Sequence, residues 1–366
     1  MKHSSLSLLL LPLLLGGCDA LMEGVIGDLR HLSSREVSGS DGTITLDVDV
    51  TGEEAMLLTL QADDGALVFV DQVTDPSGTV AFSATDAWND ASHSVTMGAY
   101  PFPTSSINWP ANGGSLTDGT WQIRLGTVDS AYYYQPGTGV QVDVLLKDDP
   151  SMSSGTLHVN LVYAGAAGTD EELARAAGVA TAHWEEIYGQ IGIDLTFEEW
   201  EYDNGALPGP GLGNAEDFIQ ISTSTSTRSV NVVLVPSMVD GDGIYGMAGG
   251  IPGALVPTDR SAVVISALTS SGPDLMFSAE EERIFAETMA HEVGHYLGLF
   301  HPVETSWDTW DSLGDTPECS GEGTCEQQLG SNLMFPYPVC SYTSCTPQAD
   351  LTPQQSSAAH SYVGVE

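Results

Sequence analysis

His291, His295 and His301 are spaced four and then six residues apart, with Glu292 directly after the first and Gly298 between the last two. On a helix, residues four apart share a face, so His291 and His295 can hold one ion between them. Imidazole nitrogen suits zinc, and a catalytic zinc keeps three protein ligands and one open position. Gly298 lets the chain leave the helix at a backbone angle that other residues avoid. His301 can then swing back as the third ligand. Glu292 stands where a general base would take a proton from an attacking water. The pattern H-E-x-x-H-x-x-G-x-x-H is the extended zinc signature of a peptide-hydrolysing site.

A helix must carry these residues, and the sequence writes one. Ser278 and Glu281 form a capping box, which opens it. Glu280, Glu281 and Glu282 place negative charge at the positive end of its dipole. Phe285, Met289, Val293, Leu297 and Phe300 recur at helical spacing and predict a core-facing stripe. Ile284, Thr288, His291, His295 and Gly298 form the neighbouring stripe, expected to face a cleft. Gly298 ends the helix and Pro302 prevents it from resuming.

The chain has 366 residues, with 9 Lys+Arg against 50 Asp+Glu, a formal net charge of −41. Such a surface repels nucleic acid and anionic headgroups. Lys2 and His3 precede an apolar run at 6–15, too short to span a bilayer and read as an export leader. Leu15-Gly16-Gly17-Cys18 resembles the bacterial lipobox, which makes Cys18 the lipidated first residue. The expected location is therefore the cell envelope or surface, with membrane contact only through that lipid. Four further cysteines, Cys319, Cys325, Cys340 and Cys345, lie in one C-terminal stretch. In an exported chain they predict two disulfides, with three pairings open.

Stretches 43–50, 57–60, 67–70, 80–83, 95–97, 121–125 and 140–146 read as short strands separated by turn signals such as Asp64-Gly65 and Asp118-Gly119. Seven strands at this spacing suggest a β-sandwich over 41–147. A polar stretch at 147–155 reads as a linker. Beyond it, strands are expected at 157–162, 193–202, 230–235 and 262–266. A helix is expected to open at a Thr169–Glu172 capping box, written Thr169-Asp170-Glu171-Glu172. This is an α/β layered order. A glycine-rich stretch at 241–253 lies between the last two strands, and its 245–250 part is expected to form a cleft edge that pairs with extended substrate.

The 291–301 motif, followed by Asn332-Leu333-Met334-Phe335-Pro336, resembles the metzincin metallopeptidases. The resemblance makes Met334 the methionine of the turn beneath the zinc site. Asp315-Thr316-Pro317, the four cysteines and Leu351-Thr352-Pro353-Gln354-Gln355 look like the pappalysin branch. That branch implies a secreted endopeptidase with disulfides near the Met-turn, and calcium at Asp311 or Asp315. Several metzincins carry a Tyr two residues after the turn Met. Here Pro336 holds that place and Tyr337 follows as candidate oxyanion helper.

The expectation is an α+β chain: leader 1–18, tether 19–40, all-β sandwich 41–147, linker 148–155, and a zincin-type α/β metallopeptidase domain 156–366. Its activity would be Zn²⁺-dependent cleavage of protein or peptide substrate. The competing expectation is an inert surface-anchored binding protein that works through its β-sandwich.

Overall fold

The structure is a computed structural model describing residues 22–366 except 27–28, 64, 91, 111–115, 150–151, 213–214, 227, 242, 273–275 and 343. Cys18 and the leader 1–18 lie outside the described residues.

The N-terminal part holds ten strands: β1 (Met22–Ile26), β2 (Leu29–Val37), β3 (Thr43–Val50), β4 (Ala55–Ala62), β5 (Leu67–Thr74), β6 (Val80–Ser83), β7 (His93–Ser94), β8 (Thr104–Trp109), β9 (Gly119–Val128) and β10 (Gly139–Lys147). A short helix, α1 (Ala84–Asn89), precedes β7. Two antiparallel sheets result, ordered β1-β2-β10-β4-β8 and β3-β9-β5-β6. In β3 the period-two pattern buries Ile44, Leu46, Val48 and Val50. These side chains meet Leu58, Leu60, Val142 and Val144 of the other sheet in one apolar cluster.

The tether expected over 19–40 is corrected. Leu29–Val37 is a strand paired antiparallel to β10, with Leu29 and Leu32 buried. Its polar composition hid it, because four of its nine residues are Arg, His or Glu. The strand expected at 95–97 is corrected too. Thr96 caps a single 3₁₀ turn at Met97–Ala99, and the extended pair lies earlier, in β7. Neither α1 nor β8 was legible. All six residues of β8 are buried, yet four are Ser, Thr or Asn.

The C-terminal part contains β11 (Gly155–Ala164), α2 (Glu171–Gly189), β12 (Ile193–Tyr202), α3 (Ala215–Ser224), β13 (Val230–Val235), β14 (Gly246–Ala248), β15 (Val263–Ser266), α4 (Ala267–Ser271), α5 (Ala279–Tyr296), β16 (Trp310–Asp311), α6 (Glu322–Leu329) and α7 (Pro353–Ser361). The sheet order is β12-β11-β13-β15-β14, with only the edge strand β14 antiparallel to its neighbour. Strand β11 shows why both faces are covered. Leu157, Val159, Leu161 and Tyr163 join the core beneath α2 and α5, while Val162 and Ala164 join a second cluster with Phe218 and Ile221 of α3. Asp170, rather than Thr169, caps α2, because its carboxylate accepts from the N–H groups of Glu172 and Leu173.

The stretch at 147–155 does not separate two independent bodies. Leu29, Ala55, Leu57 and Leu145 from the N-terminal sheet belong to the same apolar cluster as α2 and α5. Lys147 is buried, donates to His360 O (3.0 Å) and pairs with Asp149 (3.1 Å). Asn108 Nδ2 donates to Ser361 O (2.7 Å). No helix among the described residues is long and apolar enough to cross a membrane.

Candidate metal centre and active site

Helix α5 starts as its sequence dictates. Ser278 accepts from the Glu281 N–H, and Glu281 accepts in return from the Ser278 N–H (2.8 Å). Phe285, Met289, Val293 and Leu297 are buried as a stripe, whereas Phe300 is half-buried and outside that core. The helix ends after Tyr296, and Gly298 takes φ 103°, a left-handed value that suits glycine. That turn brings His301 back over the helix.

The three imidazoles then face one another. His295 Nε2 lies 3.1 Å from His301 Nε2, which lies 3.3 Å from His291 Nε2. Each Nδ1 is engaged elsewhere: His291 with Leu333 O (2.7 Å), His295 with Leu299 O (2.6 Å) and His301 with Glu304 Oε2 (3.0 Å). A carbonyl oxygen can only accept, so Nδ1 of His291 and of His295 carries the proton and Nε2 presents a lone pair. Burial, together with the neighbouring His301, holds His291 down to about 3; burial also holds His295 well below the usual range. Neutral imidazoles with converging lone pairs repel unless a cation lies among them. Two nitrogens about 2.0–2.1 Å from a tetrahedral ion are roughly 3.3–3.4 Å apart, close to the spacings here. Among the described residues, these three are the group of donors able to hold a metal ion.

Glu292 is buried beside them. Burial pushes its carboxyl up to about 8, opposed in part by the backbone N–H of Ala248. A cleft of about 320 Å³ opens here, lined among others by Tyr245, Gly246, Thr288, His291, Glu292 and Phe335. The glycine-rich stretch thus reaches the cleft, as strand β14 on the sheet edge. A Cβ at Gly246 would lie 2.6 Å from Glu292 Cγ, so only glycine lets this edge approach the carboxylate so closely.

Met334 is fully buried against α5: a Cβ at Gly294 would lie 2.5 Å from its Sδ. Asn332 Oδ1 accepts from the Met334 N–H (2.9 Å) and fixes that turn. Tyr337 lines the cleft, but its hydroxyl donates to Glu326 Oε1 (3.2 Å). Cys319 pairs with Cys325 and Cys340 with Cys345, which selects one of the three pairings. Asp311 accepts from the Leu313 N–H and Thr316 Oγ1, and Asp315 from Thr352 Oγ1 and the Gln354 N–H. Both carboxylates serve the protein's own donors, and no group of three carboxylate, thiol or imidazole donors gathers around them among the described residues. Glu304 was missed in the sequence. It follows the third histidine by three residues in a loop, where no periodicity marks it.

No protein-family model and no curated protein matches this sequence. Among solved structures, the chain is similar to metalloproteinase-II from Bacteroides fragilis at 16% identity and a TM-score of 0.29, over 51% of this chain and 61% of that one. It is also similar to archaemetzincin from Methanopyrus kandleri at 16% identity and a TM-score of 0.28, over 43% of this chain and 83% of that one. The chain thus spans about 61% of the Bacteroides protein's length. Likeness at this level leaves the chemistry to rest on the chain's own residues.

Proposed function

We propose that this protein is a zinc-dependent endopeptidase of metzincin type, with His291, His295 and His301 as metal ligands and Glu292 as general base. The observation that carries this reading is the convergence of three Nε2 atoms, with every Nδ1 turned to an acceptor. Bound there, zinc supplies a Lewis acid that polarises a peptide carbonyl and makes an attacking water acidic near neutral pH. Glu292, which the charge of a bound ion would hold as a carboxylate, would take the proton from that water and return it to the leaving amine. The reaction needs no covalent enzyme intermediate.

Strand β14 ends its sheet, and an extended peptide would lie along its open edge at Gly246 in the cleft. Met334 is read as the floor of the site. Tyr337 would have to give up its bond to Glu326 to serve an oxyanion. A β-sandwich over 41–147 ahead of a metallopeptidase domain over 156–366, the pappalysin-like branch and lipid attachment at Cys18 belong to the same reading. Two disulfides suit an exported protein.

The test is casein cleavage by the purified protein. Cleavage abolished by a chelator and restored by zinc supports the proposal. No cleavage by zinc-loaded, correctly oxidised protein leaves the inert binding protein as the better reading.

A further inference from the structure

We infer that Glu304 is the positioning residue of the third histidine, held in a loop whose far end pairs with the short strand β7. This rests on the metal centre proposed above. The three imidazoles are not supported alike. His291 and His295 lean on backbone carbonyls, whose positions the fold fixes. His301 stands outside the helix and leans on a side chain, Glu304 Oε2, 3.0 Å away. It is the only one of the three rings whose orientation depends on a carboxylate, and the negative charge so placed offsets the positive charge that a ligating ring shares with a cation.

Glu304 sits in a six-residue loop closed at both ends. Val303 and Trp310 pair antiparallel across its base. The Glu304 N–H donates to Thr309 O (2.8 Å), and the Trp307 N–H donates to Glu304 O (2.9 Å). Trp307 takes φ 62°, a left-handed value that costs a tryptophan energy and persists only where surroundings enforce it. Its ring packs near Phe335 and Tyr337 at centroid distances of 6.4 and 6.1 Å.

The far end of the loop is held by the N-terminal part. The Trp310 N–H donates to Ser92 O (2.8 Å), and β16 pairs in parallel with β7, Trp310 opposite His93 and Asp311 opposite Ser94. His93 then reaches Glu318 at 3.3 Å. The loop that aims the third imidazole is thus pinned at Trp310 by Ser92 and His93 of the N-terminal part.

The experiment compares zinc affinity of the full chain, by competition with a chromophoric chelator, in wild type, Glu304→Ala and Glu304→Gln. Loss of such a partner typically costs about 10- to 100-fold in metal affinity. Glu304→Ala should lose affinity in that range. Glu304→Gln, whose amide oxygen still accepts from Nδ1, should recover part of it. Thermal unfolding of the metal-free proteins should be nearly the same for all three, which a purely structural role would not give. Zinc affinities of both variants within about twofold of wild type would overturn the inference. Wild type that binds no zinc would instead remove the metal centre itself, a separate outcome of the same titration.

Discussion

Gly246 and Glu292 are in contact across the cleft: the glycine Cα packs on the glutamate stem, and a methyl group there would come within 2.6 Å of Cγ and 2.9 Å of Ile265 Cδ1. The edge strand and the carboxylate therefore share one space, and the Ala248 N–H of that strand works against burial on the carboxyl. Gly246→Ala is expected to push the carboxylate aside. The rate should fall by about 10-fold or more, since small misplacement of a catalytic group is costly. Zinc affinity should stay within about twofold. A kcat for Gly246→Ala equal to wild type, by peptide-cleavage kinetics, would sink this.

Glu292→Gln separates the proposed base from the proposed ligands. General-base loss typically costs about 10²–10⁴ in rate. The amide is isosteric, so the protein should fold and bind one zinc as before. Metal analysis combined with casein kinetics checks both halves. Activity at the wild-type level would mean that another group moves the proton.

Asp311 gives a pH dependence of stability. Burial raises its carboxyl to about 6, opposed by Thr316 and by the Leu313 N–H; Asp315 raises it further and His93 lowers it. Its Oδ2 is buried with no hydrogen-bond partner among the described residues. The folded state therefore binds the proton more tightly than the unfolded chain does. This contribution is fully present below about pH 4 and is lost as pH rises through about 6, with a magnitude of up to about 3 kcal/mol. Against Asp311→Asn, wild type should lose relative stability between pH 4 and pH 7 in denaturant titrations. A stability difference that stays flat over that window would contradict the burial argument.

Leu57 tests whether the two parts are one cooperative unit. It lies in an N-terminal strand but packs in the core of α2 and α5. Leu57→Ala should cost about 2–5 kcal/mol. Denaturant unfolding followed by fluorescence and by circular dichroism should shift as one transition. Two separate transitions, with only one of them moved, would show independent domains.

The sequence was most readable where local signals and tertiary demands agree. Helix α5 announces itself through Ser278, Glu281 and its apolar stripe, and β12 and β13 fall at the expected residues. It was least readable where burial is achieved by polar residues. Strand β8 buries Thr104 and Asn108 because neighbouring parts of the fold supply partners, Asp259 Oδ1 for the hydroxyl and Ser361 O for the amide. Strand β2 looks like a tether because its pairing, rather than its composition, makes it a strand. In the site, the histidines and Glu292 sit in a fixed-spacing motif, whereas Glu304 gains its place from a loop closed by Val303 and Trp310 and pinned at Trp310 by Ser92 and His93, more than 200 positions away. No window along the chain contains that relationship.

The most direct test of the account is X-ray absorption at the zinc edge on protein loaded with one equivalent of zinc. Three imidazole nitrogens per zinc at about 2.0–2.1 Å, with the remaining scatterer a light atom, is the expected spectrum. Sulfur scatterers at about 2.3 Å, or zinc with fewer than two imidazoles, would contradict the three-histidine centre on which the proposed chemistry depends.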